Sequence, residues 1–430
     1  MSAIYHPGSA LRDYLKPFLR VLPAWKSRRL LVVAKGFAQT GGSTLSEGCR
    51  AVRGGRVTSW VWKASLLLQH LPWTELLALQ LGRLRIRQKD WRLVVHDLTA
   101  LPKPWAEQME GLSTVYDGCT GELVTGYTCV MSIGVGAKEW DLHPIRCTLV
   151  NPADKKFRSQ NTVIQQHLLG ISDAQIGGDL LHVFDCGFDD EKHFAFCDDK
   201  LDVPWMIRLK EDRCVQFRKE RHPVMLVGKT LLAEGKPDRD GMIIASATIG
   251  VLLPSLKVKK RGSPIPQRNY TLVAVKRPQF ITPMLLLLNA PKLTAKEAAL
   301  AYLDYLDRFE IEHCFRLWKQ TCRPARVQMM KAPRIQGLIN LQMLLLDFLL
   351  REHEKGREPF GGGLWAILQK RYVHEQETLI LSPYVVAKAV RELLLEDRLR
   401  APIRFRHSLP EPSPCQFSIF TPAELDTVTC

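Results

Sequence analysis

Tyr305, Arg308, Glu312 and Lys319 lie in the run YLDRFEIEHCFRLWK with two, three and six residues between them. On a helix, at about 100° per residue, the four side chains fall within a stripe roughly 60° wide. Phe309, Ile311 and Phe315 flank that stripe, so the polar groups are set into otherwise apolar helix surface. One use for such a face is an i, i+4 Arg–Glu pair on a solvated helix, which contributes a few tenths of a kcal/mol. The other is chemical: a carboxylate that holds a cation, beside an Arg fork and a Lys point charge that both suit phosphate.

Two more carboxylates bear on that choice. Asp97 ends the apolar run WRLVVHD and Asp185 ends LLHVFD, and strand ends are where open α/β sheets assemble their sites. If the two strands are neighbours, their acids converge, and Glu312 from a helix packed on the same sheet completes a cluster of three. Three hard oxygen donors without a neighbouring His or Cys favour Mg²⁺ or Mn²⁺. Two such ions about 4 Å apart suit the in-line displacement of a phosphodiester. Each acid alone has an ordinary use: a turn cap for Asp97, an Asx-turn for Asp185, a partner for Arg308 in the case of Glu312. Their order along the chain favours the joint reading.

The elements that must position these residues follow from the pattern. Residues 1–88 are helical and strongly basic, with fifteen Lys or Arg against four Asp or Glu in the first 90 positions. A charge concentrated in this way suits a polyanion such as double-stranded DNA, whose condensed counterions are released on binding. Within it, STLSEGCRAVRGGRVTSWVWKAS has the form of a weak helix-turn-helix, with Arg50, Arg53 and Arg56 around the turn and Lys63 on the second helix. From Trp91 the pattern becomes three strands, a helix, the strand ending at Asp185, a short helix and the strand VPWMIRLK, which closes a first section at residues 89–212. Residues 213–288 are a β-rich stretch. Residues 289–325 carry the helix described above, 326–405 are mostly helical, and 406–430 form a Pro-rich tail read as extended or disordered. The fold class expected is α/β.

Eleven cysteines without any CxxC pair exclude a disulfide framework and a zinc ribbon, and imply a reducing compartment. Cys186, His193 and Cys197 lack a second ligand pair and read as ordinary packing residues. The leucine runs near 66 and 285 are too short to span a bilayer. The expectation is a soluble, cytoplasmic protein with no membrane association.

The chain resembles the DDE transposases of bacterial insertion sequences that carry the Tyr-Arg-Glu-Lys signature, which Tyr305, Arg308, Glu312 and Lys319 match at every step. RFEIEHCFRLWK is similar to the family's Arg-aromatic-x-Ile-Glu run, with Phe309 where Trp is commoner. LLNAPKLTAKEAALAYLDYLDR looks like the approach to that helix, and FDCGFDDEKHF with VPWMIRLK looks like the second-Asp region. The likeness covers about residues 90–322. It implies an RNase H-like core in which Asp97, Asp185 and Glu312 bind two Mg²⁺ or Mn²⁺ ions, with 213–288 as its β-rich insertion; outside that span the reading is a basic N-terminal domain that binds DNA ends and a helical C-terminal region for subunit contact. Tyr305, Arg308 and Lys319 would then hold phosphates of the transposon end, with Arg208 and Lys210 as further DNA contacts and Phe280 against an unstacked base. It further implies a cut-and-paste reaction by a homodimer associated with the bacterial nucleoid. Cys186 departs from the pattern, standing where the family usually has Arg. The alternatives from the residues themselves are a domesticated DNA-binding protein that keeps the fold, and an RNase H-like nuclease without strand transfer.

Overall fold

The basic N-terminal region folds as five helices: α1 (Pro7–Arg20), α2 (Ala24–Thr40), α3 (Leu45–Arg53), α4 (Thr58–His70) and α5 (Trp73–Arg87). α3 starts at a capping box in which Thr44 and Glu47 satisfy each other's free backbone N–H groups. α2 and α3 cross at Gly36 and Gly48, where a Cβ on Gly36 would sit 2.3 Å from the Gly48 carbonyl oxygen. These features come from a computed structural model of the chain, which describes residues 6–42, 44–54, 57–118, 120–256, 265–356, 364, 368 and 382–400. Arg56 of the helix-turn-helix reading, the Gly-rich break near 361 and the Pro-rich tail therefore lie outside the described residues.

Eleven strands follow in one mixed sheet. They are β1 (Trp91–Pro102), β2 (Ser113–Asp117), β3 (Glu122–Gly136), β4 (Leu142–Leu149), β5 (Leu181–Phe184), β6 (Trp205–Arg208), β7 (Cys214–Phe217), β8 (Glu220–Pro223), β9 (Ile243–Leu252), β10 (Gln267–Lys276) and β11 (Met284–Leu288). The near-continuous apolar runs of β1, β3 and β5 mark strands covered on both faces. β4, β3 and β1 pair antiparallel in that order, and β5 and β6 then add parallel to β1. β11 joins β6 antiparallel and is followed outward by β10, β9, β7 and β8, so the strands of 213–288 continue the same sheet.

Helices cover both faces. α6 (Gln160–Ser172), α7 (Glu191–Phe196) and α8 (Val224–Ala233) share one core with Phe184, Trp205, Leu272 and Leu287. On the other face α9 (Ala295–Leu306), α10 (Glu310–Thr321), α11 (Ala332–Gly356) and the N-terminal helices share a core with Val95, Met131, Val183 and Leu286. α11 runs along β4 and against α4, where Gln336 bonds the Leu149 amide and the Cys147 carbonyl at the sheet edge. Tyr14 on α1 donates to buried Asp347 on α11 at 2.7 Å, so the two helical regions are joined to each other through this core. Among the described residues no helix is long and apolar enough to cross a membrane.

Four details differ from the sequence reading. β1 continues past Asp97 to Pro102, because beyond the end of β5 it still pairs with β3. β2 is an additional strand, folded back on the first residues of β3. The stretch 213–288 also holds a helix, α8, whose Val227 and Leu231 pack on the sheet. Finally, the helix expected from Thr294 to Lys319 is broken by a 3₁₀ turn at Asp307–Phe309, which Arg92 at the start of β1 holds through Asp304 at 3.1 Å and Asp307 at 2.5 Å.

Candidate active site

Side chains alternate across a strand, and on β1 Leu93, Val95 and Asp97 face α9 and α10 while His96 faces the opposite helices. The parallel register of β1 and β5 pairs His96 with Phe184, so the next position on each chain sets Asp97 beside Asp185. Asp97 lies inside β1, yet it stands where the β1–β5 ladder ends.

Two residues of the signature fold back onto these acids. Arg308 Nη1 donates to Asp97 Oδ2 at 2.9 Å, with both side chains buried, and the Leu98 amide donates to Oδ1 at 2.7 Å. Tyr305 Oη donates to Asp185 Oδ1 at 3.4 Å. Although the 3₁₀ turn interrupts the helix between them, both residues reach the cluster from the α9–α10 junction. Glu312 is exposed in the first turn of α10, where its charge bears on both Asp97 and Arg308.

The electrostatics are set first by burial and then by the neighbouring charges. Burial pushes the Asp97 carboxyl up to about 7; Asp185 and Glu312 push the same way, against Arg308 and the Leu98 amide. Burial pulls the Arg308 guanidinium down, but Tyr305, Asp185, Asp97 and Glu312 around it more than reverse that. Tyr305 is raised by burial and by Asp185. Arg308 Nε is buried with no hydrogen-bond partner, a donor left open inside the cluster.

The remaining sequence candidates lie around this centre. Arg208, at the exposed end of β6, acts electrostatically on Tyr305 and Cys186, and Lys210 acts on Cys186. Cys186 is half-buried, its thiol raised by burial and by Asp185. Lys319 is separate: half-buried against the Phe315 ring at 6.0 Å, it stands about 10 Å along α10 from Glu312. Exposed Phe280 and Ile281 form the tip between β10 and β11, which lies beyond Arg208 at the same end of the sheet. His193 bonds Cys197 at 3.6 Å in the core, in keeping with a packing role. On the N-terminal helices Arg53 stacks on Trp60 at 3.8 Å, while Lys63 and Trp62 are exposed.

The three-carboxylate set fits a hard divalent cation in donor type, while the raised Asp97 reflects its burial first, with Asp185 and Glu312 adding to it against Arg308. Spacing is another matter: among the described residues no group of three or more His, Cys, Asp and Glu side chains is placed to hold a metal ion.

Sequence reasoning missed a buried polar chain behind the acids. His182 bonds the Gly177 carbonyl at 3.1 Å and His96 at 2.9 Å; His96 bonds Ser132 at 2.6 Å; Ser132 bonds His167 at 2.8 Å, and His167 bonds Thr148 at 2.8 Å. The signal was a lone His inside each of two apolar strands and one helix, which cannot be joined into a chain before the register is known.

No protein-family model matches the chain, and no curated protein sequence matches it either.

Proposed function

We propose that this protein is a metal-dependent DNA transposase of the DDE type, cutting the ends of an insertion sequence and joining them to a target. The observation that carries this reading is the folding-back of Arg308 onto Asp97 and of Tyr305 onto Asp185, from a helix junction that also presents Glu312. Residues spaced over more than 200 positions are thereby gathered at the end of one strand ladder. The strand order β4-β3-β1-β5-β6, with β3 antiparallel and β5 and β6 parallel to β1, supports an RNase H-like core, and the sheet extension through β11 supports its insertion.

Asp97, Asp185 and Glu312 would hold two Mg²⁺ or Mn²⁺ ions, which when bound supply the Lewis acidity for phosphodiester displacement. The chain's own groups do the rest. Arg308, with an open Nε donor, and Tyr305 bind phosphate oxygens at the acids; Arg208 and Lys210 extend the positive rim beside Asp185; Lys319 holds a phosphate farther along α10. The exposed tip Phe280–Ile281 offers apolar surface to an unstacked base at the same end of the sheet.

Purified protein, Mg²⁺ and labelled duplexes from both flanks of its gene test this on a gel, with Glu312→Gln as the comparison. Breaks at a fixed position that need the metal and vanish in the variant are the expected result, with joined products when target DNA is added. Breaks without joined products would indicate a nuclease lacking strand transfer. One observation favours a second reading. Arg308 already occupies Asp97, and the acids are not spaced for a metal, as in a domesticated DNA-binding protein that keeps the fold. Specific binding without any break, in either metal, would decide for it.

A further inference from the structure

We infer that the groove between Trp105 and the turn after α10 takes an unpaired nucleobase of a DNA strand leading away from the carboxylate cluster; this rests on the proposed function. Trp105 is 94% exposed, the largest apolar side chain turned so fully to water among the described residues. Its loop is nevertheless held firmly. Buried Lys103 donates from Nζ to the carbonyls of Ala325 and Val327, the Glu110 amide donates to the Met330 carbonyl at 2.9 Å, and the Ala332 amide donates to Glu110 Oε2 at 3.2 Å. Two chain segments are thus zipped into the walls of a groove, with Met109 and Val327 in its lining and Trp105, Arg326, Gln328 and Met330 on its exposed parts. A rigid loop that displays an indole to solvent has the form of a stacking platform.

Charge identifies the occupant as a polyanion. From His313 to Leu346 the chain carries Arg316, Lys319, Arg323, Arg326, Lys331 and Arg334 and no Asp or Glu. α10 leads from Glu312 past Lys319 toward this turn, and β1 leads from Asp97 to Lys103, so strand and helix point from the acids to the groove. Six strand residues span about 20 Å, the length of about three to six nucleotide steps, depending on how far the unpaired strand is stacked. Glu107 is the opposing charge on the rim; Glu110 is engaged by Ala332 and Lys331. Any base has a π-face to lay on Trp105, and Arg326 can meet the neighbouring phosphate.

The test uses the full chain and a duplex with a single-stranded tail of about ten nucleotides, carrying 2-aminopurine at successive positions. Stacking on Trp105 should quench the probe at one position about three to six steps from the scissile end. Trp105→Ala should abolish that quenching and weaken tailed-duplex binding about five-fold or more, while Trp105→Phe retains most of both. Because the indole is exposed, neither change should lower the thermal midpoint. Quenching and affinity unchanged in Trp105→Ala, with cleavage intact, would overturn this inference alone, as would a switch from dimer to monomer with DNA binding unaltered. Absence of any DNA binding by the wild type would overturn the proposed function with it.

Discussion

Arg308 and Asp97, 211 positions apart in sequence, form a buried ion pair with Nη1 2.9 Å from Oδ2. The pair crosses from the α9–α10 junction to the middle of β1, and it leaves one guanidinium donor open and one carboxyl raised to about 7.

Removing Arg308 should therefore harm folding more than a surface pair would. Arg308→Ala leaves Asp97 buried beside Asp185 without its cation, and because that carboxyl is already raised to about 7 it takes up a proton at neutral pH, so the expected cost is about 1–3 kcal/mol. Adding Asp97→Asn to that variant should recover part of the loss above neutral pH, where the carboxyl would otherwise ionise without a partner. Urea unfolding of the two single variants and the double variant measures the coupling; additive losses would mean that the two groups do not act as a pair.

Lys319 lies outside the cluster, and its expected role is narrower. Lys319→Ala should leave folding unchanged and lower the salt dependence of DNA binding by about one counterion. Titrations across a range of salt concentrations give the slope directly. An unaltered slope would remove Lys319 from the DNA path.

The difference between Lys319 and Arg308 also shows what could be read in advance. Spacing put Tyr305, Arg308, Glu312 and Lys319 on one stripe, and that was enough to nominate them. It could not show that a 3₁₀ turn, held by Arg92 from another element, divides the stripe and directs Tyr305 and Arg308 to the acids. Alternating and apolar runs marked most strands, but β2 is short and polar, and it forms because the first residues of β3 offer it an edge. The meeting of Asp97 with Asp185 was legible although the strand of Asp97 runs on, since what ends there is the ladder to β5. The histidine chain was not legible, because its members become neighbours only through cross-strand register.

Cys186 stands where the resemblance implies Arg, and Arg208 and Lys210 flank it. If these two supply the missing positive charge, Arg208→Ala should weaken DNA binding and flatten its salt slope by about one counterion. Cys186→Arg placed in that variant should restore the slope. Fluorescence anisotropy at several salt concentrations makes the comparison, and a double variant no better than Arg208→Ala would show that the position beside Asp185 does not face DNA.

The buried histidines give the fold an acid limit. Burial lowers His182 and His193 to about 4 and holds His96 and His167 well below their ordinary value. A folded-state pKa below the unfolded value of about 6.5 means that the unfolded chain binds more protons between about pH 4 and 6.5. Stability contributed by the neutral rings is thus complete above that window and is lost as the pH falls through it. For His182 alone the loss between pH 7 and pH 5 is about 2 kcal/mol. Urea midpoints should fall steeply over that interval in the wild type. His182→Gln, which keeps a donor and an acceptor but does not titrate, should be less stable at pH 7 and fall less on acidification. Equal falls in the two proteins would mean that His182 is already protonated in the folded chain, and that its bonds to His96 and Gly177 are not those of a neutral ring.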